Sequence, residues 1–311
     1  MIFMSFIVTI TFSPCIDKSA SIPALIPENK LRCSKIKLEP GGGGINVARA
    51  IKKIGGNATC ILPSGGCTGK FLAHLLEKEN IHTVIIDTAN ETRENFIIKD
   101  EGTGNQYRLG MPAGKLSKNE WKQCLNALNE TADVRFIVLS GSLPPGVSAT
   151  VFAQLARSAK KKNAKLIVDV SGDALKEAVT LGAYLIKPNL AELGTLVGVP
   201  KIKIDQVEKT AKEVIRQYQC EVIVVSLGRD GAILVTRDET YSVTPPQVKV
   251  KSTVGAGDSM VAGIVYSLAN RSSLKQALQY GVACGTAATM NPGTELCHKR
   301  DADRLYLLLT Q

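Results

Sequence analysis

The sequence has few of the residues that build metal centres and nucleic-acid-binding surfaces. Its three histidines, at positions 74, 82 and 298, and its eight cysteines show no Cys-x-x-Cys pair and no other metal-ligand spacing. We therefore expect reduced cysteines, with neither transition-metal chemistry nor a disulfide framework. Aromatic residues make up 5% of the chain and do not alternate with basic ones. On these grounds no nucleic-acid partner is expected.

The sequence also has no hydrophobic run long enough to span a membrane. Met1–Phe12 is apolar, but the first basic residue, Lys18, comes after it. A signal peptide needs a positive segment before its apolar part, and a membrane span needs ~20 apolar residues. The stretch therefore predicts a buried first strand in a cytoplasmic protein with no membrane partner. The formal net charge of +10 favours a small anionic partner, such as a phosphorylated molecule.

From residue 133 onward, short β-branched runs alternate with longer segments of helical period. The predicted strands are 134–139, 166–170, 184–186 and 222–226. The predicted helices are 148–161, 173–181, 206–219, 257–270, 273–290 and 301–309. This alternation is typical of βαβ units, and it predicts an α/β fold with a mostly parallel sheet covered on both faces.

The first third of the chain is less regular. Strands are predicted at 5–11 and 58–62, and helices at 45–54 and 70–79. Residues 94–100 and 105–109 predict a hairpin joined through Gly102-Thr103-Gly104. With the proline-dotted segment 18–40, the region 93–110 is expected to form a small β layer. Such a layer would act as a lid or pair with a second subunit, on a single domain covering 1–311.

The octapeptide Ser252–Ser259 (STVGAGDS) leads into the apolar run 260–269. A Gly-Ala-Gly turn that opens a helix presents unpaired N–H groups at the positive end of the helix dipole, which is an anion site. A carboxylate would repel a phosphate, but Asp258 suits phosphoryl transfer, which needs a base on the acceptor hydroxyl. The alternative is that Asp258 only complements the helix dipole.

The glycine run Gly41–Gly44 is the second informative stretch. Four glycines are entropically costly, so they predict a place where another group approaches the main chain closely. Asn46 follows in the first helical turn and offers a donor and an acceptor to substrate hydroxyls. A flexible loop is the alternative. The stretch is not a dinucleotide fingerprint, because Lys37–Pro40 precedes it instead of a typical strand.

Three further segments each admit two interpretations. In Lys187–Glu192, Asn189 and Glu192 could hold magnesium or form a capping box. The segment 226–231 suits nucleotide phosphate or a simple hairpin, and 140–146 suits a ligand crevice or a plain turn. Asp17 could accept hydrogen bonds from sugar hydroxyls or cap a turn.

Together, the glycine run with Asn46, the segment 187–192 and the segment 253–258 resemble the ribokinase-like (PfkB) carbohydrate kinase family along nearly the whole chain. Residues 30–33, 39–44, 140–146 and 252–260 are similar to the isozyme 2 branch of its 6-phosphofructokinases. The 1-phosphofructokinase branch usually has a lysine inside the glycine run, where this chain has Gly44.

The resemblance implies a three-layer α/β sandwich with a small β-sheet lid, in a cytoplasmic homodimer whose lid strands pair across subunits. It implies transfer of the γ-phosphoryl group of MgATP to the 1-hydroxyl of fructose 6-phosphate. The alternatives are a kinase for tagatose 6-phosphate or fructose 1-phosphate, and a non-catalytic sugar-phosphate sensor on the same fold.

The resemblance also assigns roles by position. Asp258 would be the base, and the amides of Gly255, Ala256 and Gly257 the anion hole. The sugar phosphate would contact Asp17, Lys30, Gly42, Gly43, Asn46, Arg93 and Ser142. ATP would contact Lys187, Asn189, Ser226, Gly228, Gly231, Val282 and Thr286.

Two cations are implied in the same way. Glu192 would order Mg²⁺ through a water, and a K⁺ ion would contact Ser252, Val254, Ala288, Asn291 and Gly293. Many relatives have an acidic or amide residue at the position of Ser252, and the branch has a cation at the position of Glu295. These departures leave the potassium site open.

Overall fold

The fold is seen in a computed structural model that describes residues 6–311; residues 1–5 of the predicted first strand lie outside the described residues. The strands are β1 Ile7–Ile10, β2 Cys15–Ile22, β3 Ser34–Gly41, β4 Thr59–Ser64, β5 His82–Asp87, β6 Arg93–Asp100, β7 Gln106–Leu109, β8 Phe136–Ser140, β9 Lys165–Asp169, β10 Leu185–Ile186, β11 Val222–Ser226, β12 Ala232–Val235 and β13 Thr240–Val243. The α-helices are α1 Gly43–Lys53, α2 Gly66–Lys78, α3 Lys118–Glu130, α4 Thr150–Lys162, α5 Asp173–Thr180, α6 Leu190–Leu196, α7 Val207–Gln217, α8 Ala256–Ala269, α9 Leu274–Thr289 and α10 Lys299–Thr310.

The large sheet has the strand order β13-β12-β11-β10-β9-β8-β1-β4-β5. The strands from β5 to β11 in this order are parallel, and β12 and β13 continue the sheet antiparallel. Apolar side chains fill both faces: one core contains residues of α1, α2, α8, α9 and α10, and the other contains residues of α3 to α7. The expected α/β sandwich is therefore confirmed, and the Ile- and Val-rich strands reflect burial on both faces.

The small sheet has the order β3-β2-β6-β7. Leu38, Lys18, Phe96 and Leu109 lie opposite one another across its four strands, so they share one face. Apolar side chains on the two edge strands are exposed: Ile36 is 69% exposed and Leu109 is 52% exposed. The extra β layer is confirmed, and its β6–β7 hairpin closes as expected.

Boundaries and three elements differ from the sequence predictions. Helix α1 begins at Gly43, two residues early, because Gly42 adopts φ 112° and caps the helix from a conformation open to glycine. Segment 18–40 contains most of β2 and β3, whose pairing is interrupted by a register shift that hides their alternation. Strands β5 and β13, which are the two edges of the large sheet, and helix α3 were not predicted; β5 is mostly half-exposed and has no alternating pattern.

Helix length and cysteine pairing bear on two expectations from the sequence. In residues 6–311 no helix is long and apolar enough to cross a membrane. All eight cysteines are free; Cys33 and Cys67 are exposed and the other six are buried.

Candidate active site

Helix α8 begins at the carboxyl edge of the large sheet, where it presents its first backbone amides. Gly255 precedes the helix in the left-handed conformation, with φ 73°, so the chain turns sharply into Ala256, Gly257 and Asp258. The first N–H groups of a helix lack acceptors within the helix. This end of α8 therefore has the donor arrangement that an anion site requires.

The carboxylate of Asp258 is surrounded by polar groups from three other elements. Asn46 of α1 donates from Nδ2 to Oδ2 at 3.0 Å, and Ser140 at the end of β8 donates from Oγ to Oδ1 at 3.4 Å. Desolvation and the nearby negative charge of Asp169 raise the pKa of Asp258 to about 6, although Asn46, Lys187 and Ser140 act in the opposite direction. A carboxyl group with such a pKa suits proton transfer near neutral pH.

Lys187 places a positive charge at the same edge. It follows β10 and is only 8% exposed, and its Nζ lies 3.1 Å from Oδ1 of Asp169 at the end of β9. Burial alone would lower the pKa of Lys187, but the carboxylates of Asp169, Asp258 and Glu192 raise it. A β-carbon added to Gly257 would lie 3.5 Å from Nζ, so the ammonium group is next to the start of α8.

The glycine run is required mainly by contacts with the protein itself. A β-carbon on Gly41 would lie 2.5 Å from Oδ2 of Asp17, and one on Gly43 would overlap Oγ of Ser140. A β-carbon on Gly44 would overlap the carbonyl oxygen of Ile10. The inference of close approach is correct, but the approaching groups on these three glycines are strands and loops of this chain. Gly42 is the residue that needs a positive φ.

A second polar cluster lies where the small sheet meets this edge. Asp17 of β2 is buried, and its Oδ1 accepts from Nδ2 of Asn95 at 3.0 Å. Arg93 of β6 donates from Nη1 to the carbonyl of Met111 at 2.8 Å, and its buried Nε has no hydrogen-bond partner among residues 6–311. The small sheet also contacts the turn that precedes α8, because Arg108 donates to Oγ1 of Thr253 at 3.0 Å.

The segments assigned to ATP lie along the neighbouring strand ends. Asn189 and Glu192 form a capping box with bonds of 2.8 and 2.9 Å, which confirms that interpretation of their spacing. Ser226 pairs with the Asn189 segment, and the turn 228–230 joins β11 to β12 as the predicted hairpin. Both segments thus meet at one edge, next to Lys187.

Helix α9 carries two residues assigned to ATP, and they are placed differently. Thr286 is half-buried and donates to the carbonyl of Val282, which lies one turn earlier. The side chain of Val282 is 1% exposed and packs in the core. The structure therefore leaves only Thr286 of the pair accessible from outside.

The residues assigned to potassium lie on two segments, 252–254 and 288–293, that a hydrogen bond joins. Ser252 donates from Oγ to the carbonyl of Gly293 at 2.7 Å and accepts from the N–H of Val254 at 3.2 Å. Asn291 lies in the same loop. Its Nδ2 donates to the carbonyl of Leu296 at 3.0 Å, and its backbone N–H donates to the carbonyl of Ala288. Glu295 pairs with Lys37 of the small sheet at 3.3 Å.

Two of the residues assigned to the sugar phosphate are exposed, unlike the others, and two residues that contribute to the site were not predicted from the sequence. Lys30 is exposed in the loop between β2 and β3, and Ser142 is exposed after β8. Asp169 and Asn95 were missed. An acidic residue that ends a buried parallel strand was a usable signal for Asp169, whereas the contact of Asn95 with Asp17 depends on the β2–β6 register.

These features define a class of protein: a small-molecule phosphotransferase of the α/β type. Helix-terminus amides, a carboxyl group with a raised pKa and a buried lysine converge at one edge of a parallel sheet, where such folds bind ligands. The chain belongs to the pfkB family carbohydrate kinases, whose family model matches residues 7–301.

Several relatives can be aligned with almost the whole chain. It is 43% identical to the ATP-dependent 6-phosphofructokinase isozyme 2 of Escherichia coli, over 98% of this chain and 99% of that protein. Crystal structures of phosphofructokinase-2 from Escherichia coli in complex with potassium and in complex with fructose-6-phosphate each match with a TM-score of 0.93, at 42% and 41% identity, covering 99% of this chain and 100% of the matched one. A 1-phosphofructokinase of Bacillus subtilis and a tagatose-6-phosphate kinase of Staphylococcus epidermidis match at 30% and 31% identity, over 93% and 96% of this chain and 95% and 97% of those proteins.

The raised pKa of Asp258 makes a prediction about stability. A carboxyl group whose pKa is higher in the folded state binds protons more tightly there, so it destabilises the fold as pH rises from about 4 to about 6. Asp258→Asn should therefore raise the free energy of unfolding at pH 8 by about 1–2 kcal/mol, a value reduced for solvent screening. Urea denaturation at several pH values would measure it, and the gain should vanish near pH 4.

Asp100→Asn is the matched control. Backbone N–H groups of Leu25, Thr103 and Gly102 lower the pKa of Asp100, so its carboxylate stabilises the fold above the unfolded pKa. The control should lose stability at pH 8 and lose less in acid. If both variants changed stability in the same direction at pH 8, the electrostatic account of Asp258 would be wrong.

Proposed function

We propose that this protein transfers the γ-phosphoryl group of MgATP to the 1-hydroxyl of fructose 6-phosphate in the cytoplasm, giving fructose 1,6-bisphosphate. The observation that carries the proposal is the position of Asp258 in the first turn of α8, hydrogen-bonded to Asn46 and beside the amides of an anion site. The whole-length similarity to a 6-phosphofructokinase isozyme 2 supports the choice of substrate.

Each part of the site has a task in an in-line transfer. Asp258 takes the proton from the 1-hydroxyl as it attacks phosphorus, and the amides of Gly255, Ala256 and Gly257 stabilise the charge on the moving phosphoryl group. Lys187 adds a positive charge beside those amides. Because little covalent chemistry falls to the protein, orientation and charge provide most of the rate enhancement.

The sugar phosphate binds between the glycine run and the small sheet. Asp17, Gly42, Gly43 and Asn46 hold its hydroxyl groups. Arg93 has an unpaired Nε within the described residues, and it binds the 6-phosphate together with Lys30 and Ser142. Lys30 and Ser142 are exposed and are therefore accessible to a substrate.

ATP and its magnesium lie along the ends of β10 and β11. ATP contacts Lys187, Asn189, Ser226, Gly228, Gly231, Val282 and Thr286; for the buried Val282 this requires a movement of its surroundings. Glu192 fits a water-mediated Mg²⁺ site because its carboxylate oxygens are the hard ligands that this ion prefers. The capping hydrogen bond uses Oε2, so Oε1 can accept from a water bound to the metal. The magnesium ion neutralises charge on the transferring phosphates.

The loop that contains Ser252 and Gly293, next to the anion hole, is compatible with a potassium site. Ser252, Val254, Ala288, Asn291 and Gly293 supply carbonyl and side-chain oxygens, the donor type that an alkali cation prefers. The hydroxyl of Ser252 ties the carbonyl of Gly293 to the turn that contains Gly255. An ion bound in this loop would therefore stabilise the turn that contains Gly255.

A coupled ADP-release assay tests the proposed function. With MgATP present, we expect the highest kcat/KM with fructose 6-phosphate among fructose 6-phosphate, fructose 1-phosphate, tagatose 6-phosphate, ribose and adenosine. A higher kcat/KM with tagatose 6-phosphate or fructose 1-phosphate would assign the chain to that kinase activity instead. No ADP release with any sugar would indicate a non-catalytic sensor.

The role of Asp258 is tested by the same assay. Asp258→Asn should lower kcat by ~10²–10⁴-fold, because the amide cannot accept the hydroxyl proton. The KM for fructose 6-phosphate should change little, since the shape of the side chain is kept. The expected stability gain of this variant separates lost chemistry from unfolding. A variant with full activity would refute the role of Asp258 as base.

The exposed apolar face of the small sheet supports a homodimer. Residues 18–40 and 93–110 would pair across subunits as lid strands of the kinase domain 1–311. Ile36, Leu38, Tyr107 and Leu109 are all at least 36% exposed and lie on the edge strands β3 and β7. Exposed apolar side chains on both edge strands favour an interface on this sheet, and a second copy would also cover the unpaired strand edges.

Light scattering of size-separated protein tests the dimer. Ile36→Glu should raise the dimer dissociation constant at least ~10-fold, since burying such a side chain is worth roughly 1.5–3 kcal/mol. Leu307→Glu is the control, because Leu307 is 61% exposed on α10, outside the small sheet. Wild-type protein that elutes as a monomer, or a control that dissociates equally, would contradict the proposed interface.

A further inference from the structure

Arg49 is a buried arginine in helix α1, three residues after Asn46. Its side chain is 2% exposed, so leaving any of its five N–H groups unpaired would be costly. Nε donates to Oε2 of Glu79 at 2.7 Å. Nη2 donates to Oε1 of Glu79 at 2.6 Å and forms an ion pair with Oε1 of Glu39 at 3.5 Å. Nη1 donates to the carbonyl of Pro40 at 2.8 Å and to Oδ1 of Asn46 at 3.5 Å. Arg49 therefore makes four hydrogen bonds and an ion pair with Glu39.

We propose that Arg49 is a positioning residue that fixes the side-chain amide of Asn46 with its NH₂ group towards Asp258. Arginine can only donate hydrogen bonds, so the atom of Asn46 that faces it must be the amide oxygen. The NH₂ group then points the other way, where Nδ2 donates to Oδ2 of Asp258 at 3.0 Å. The inference rests on the proposed function, in which Asp258 is the base.

A reversed amide would disturb the base. The amide oxygen of Asn46 would then face the carboxylate of Asp258, and two acceptors would repel each other. Asn46 now lowers the pKa of Asp258, so its reversal would raise that pKa further. Other charged groups face Asp258 from β9 and from the segment after β10: Asp169, which raises its pKa, and Lys187, which lowers it. The thiol of Cys15 on β2 also senses the charge of Asp258.

The surroundings of Arg49 explain why its position is fixed. Glu79, after α2, holds two of its nitrogens in a bidentate pair, which sets the plane of the guanidinium group. Glu39 and the carbonyl of Pro40 hold the opposite side, just before the glycine run. A lysine has three donors on a flexible stem, so it could keep the charge but could not reproduce this geometry.

The pH profile of kcat/KM for fructose 6-phosphate tests the proposal. Arg49→Lys keeps the charge, so a long-range electrostatic effect should be small. We expect the acidic limb of the profile to move up by roughly 1–2 pH units, as expected for the loss of one hydrogen bond to a charged group. If Arg49 only stabilises the fold, the variant would unfold more easily but keep the wild-type limb, and the proposal would be wrong.

A double-mutant cycle asks whether Arg49 acts through Asn46. In an Asn46→Ala background, Arg49→Lys should shift the limb no further, because the amide that it orients is gone. An undiminished shift in that background would mean that Arg49 acts on Asp258 by another route, which would overturn the proposal.

A measurement on the wild-type protein covers the case in which Arg49→Lys does not fold. The side-chain ¹⁵N–¹H₂ resonances of Asn46, assigned by their absence in Asn46→Ala, should titrate with the pKa of Asp258 and lose that titration in Asp258→Asn. Resonances that ignore Asp258 would show the reversed amide and refute the inference. Because this readout needs no turnover, it stays informative even if the substrate assignment fails.

Discussion

The site depends on keeping one carboxylate ionisable beside a second one. Asp258 and Asp169 both lie at the carboxyl edge of the sheet, and their mutual repulsion is offset by Lys187, which is 3.1 Å from Asp169. Burial and the negative charge of Asp169, opposed in part by Lys187, leave Asp258 with a pKa of about 6. It is thus basic enough to accept a hydroxyl proton, yet largely ionised at neutral pH. Removing the lysine would leave both acids uncompensated.

The fold creates this arrangement through its parallel strands. The carboxyl ends of β8, β9, β10 and β11 point the same way, so Ser140, Asp169, Lys187 and Ser226 arrive at one edge although they are far apart in sequence. Helix α8 enters the same edge with its N-terminus, and α1 brings Asn46 from the other side of the glycine run. The site is therefore assembled on rigid elements, and its geometry follows from the packing of the sheet and its helices.

The sequence alone revealed the elements with strong local patterns. The strand 222–226 has the predicted bounds, and the Gly-Ala-Gly turn before an apolar run located the start of α8. Contacts that depend on strand register could not be predicted: Asn95 reaches Asp17 only because β2 and β6 pair in parallel with those residues opposite each other. The reason for the glycine run was also only partly visible, because its neighbours Ser140 and Ile10 come from distant parts of the chain.

The small sheet is connected at two points to the turn that precedes α8. The role of a lid that we propose for the sheet would use these connections. Arg108 of β7 bonds directly to Thr253, next to the anion site. On the other edge, Glu39 of β3 accepts from the hydroxyl of Thr294, whose neighbour Gly293 is tied to Ser252. A displacement of the sheet would therefore pull on both sides of the turn that precedes α8. If the sheet closes over the sugar phosphate as proposed, that closure would also move the helix-terminus amides.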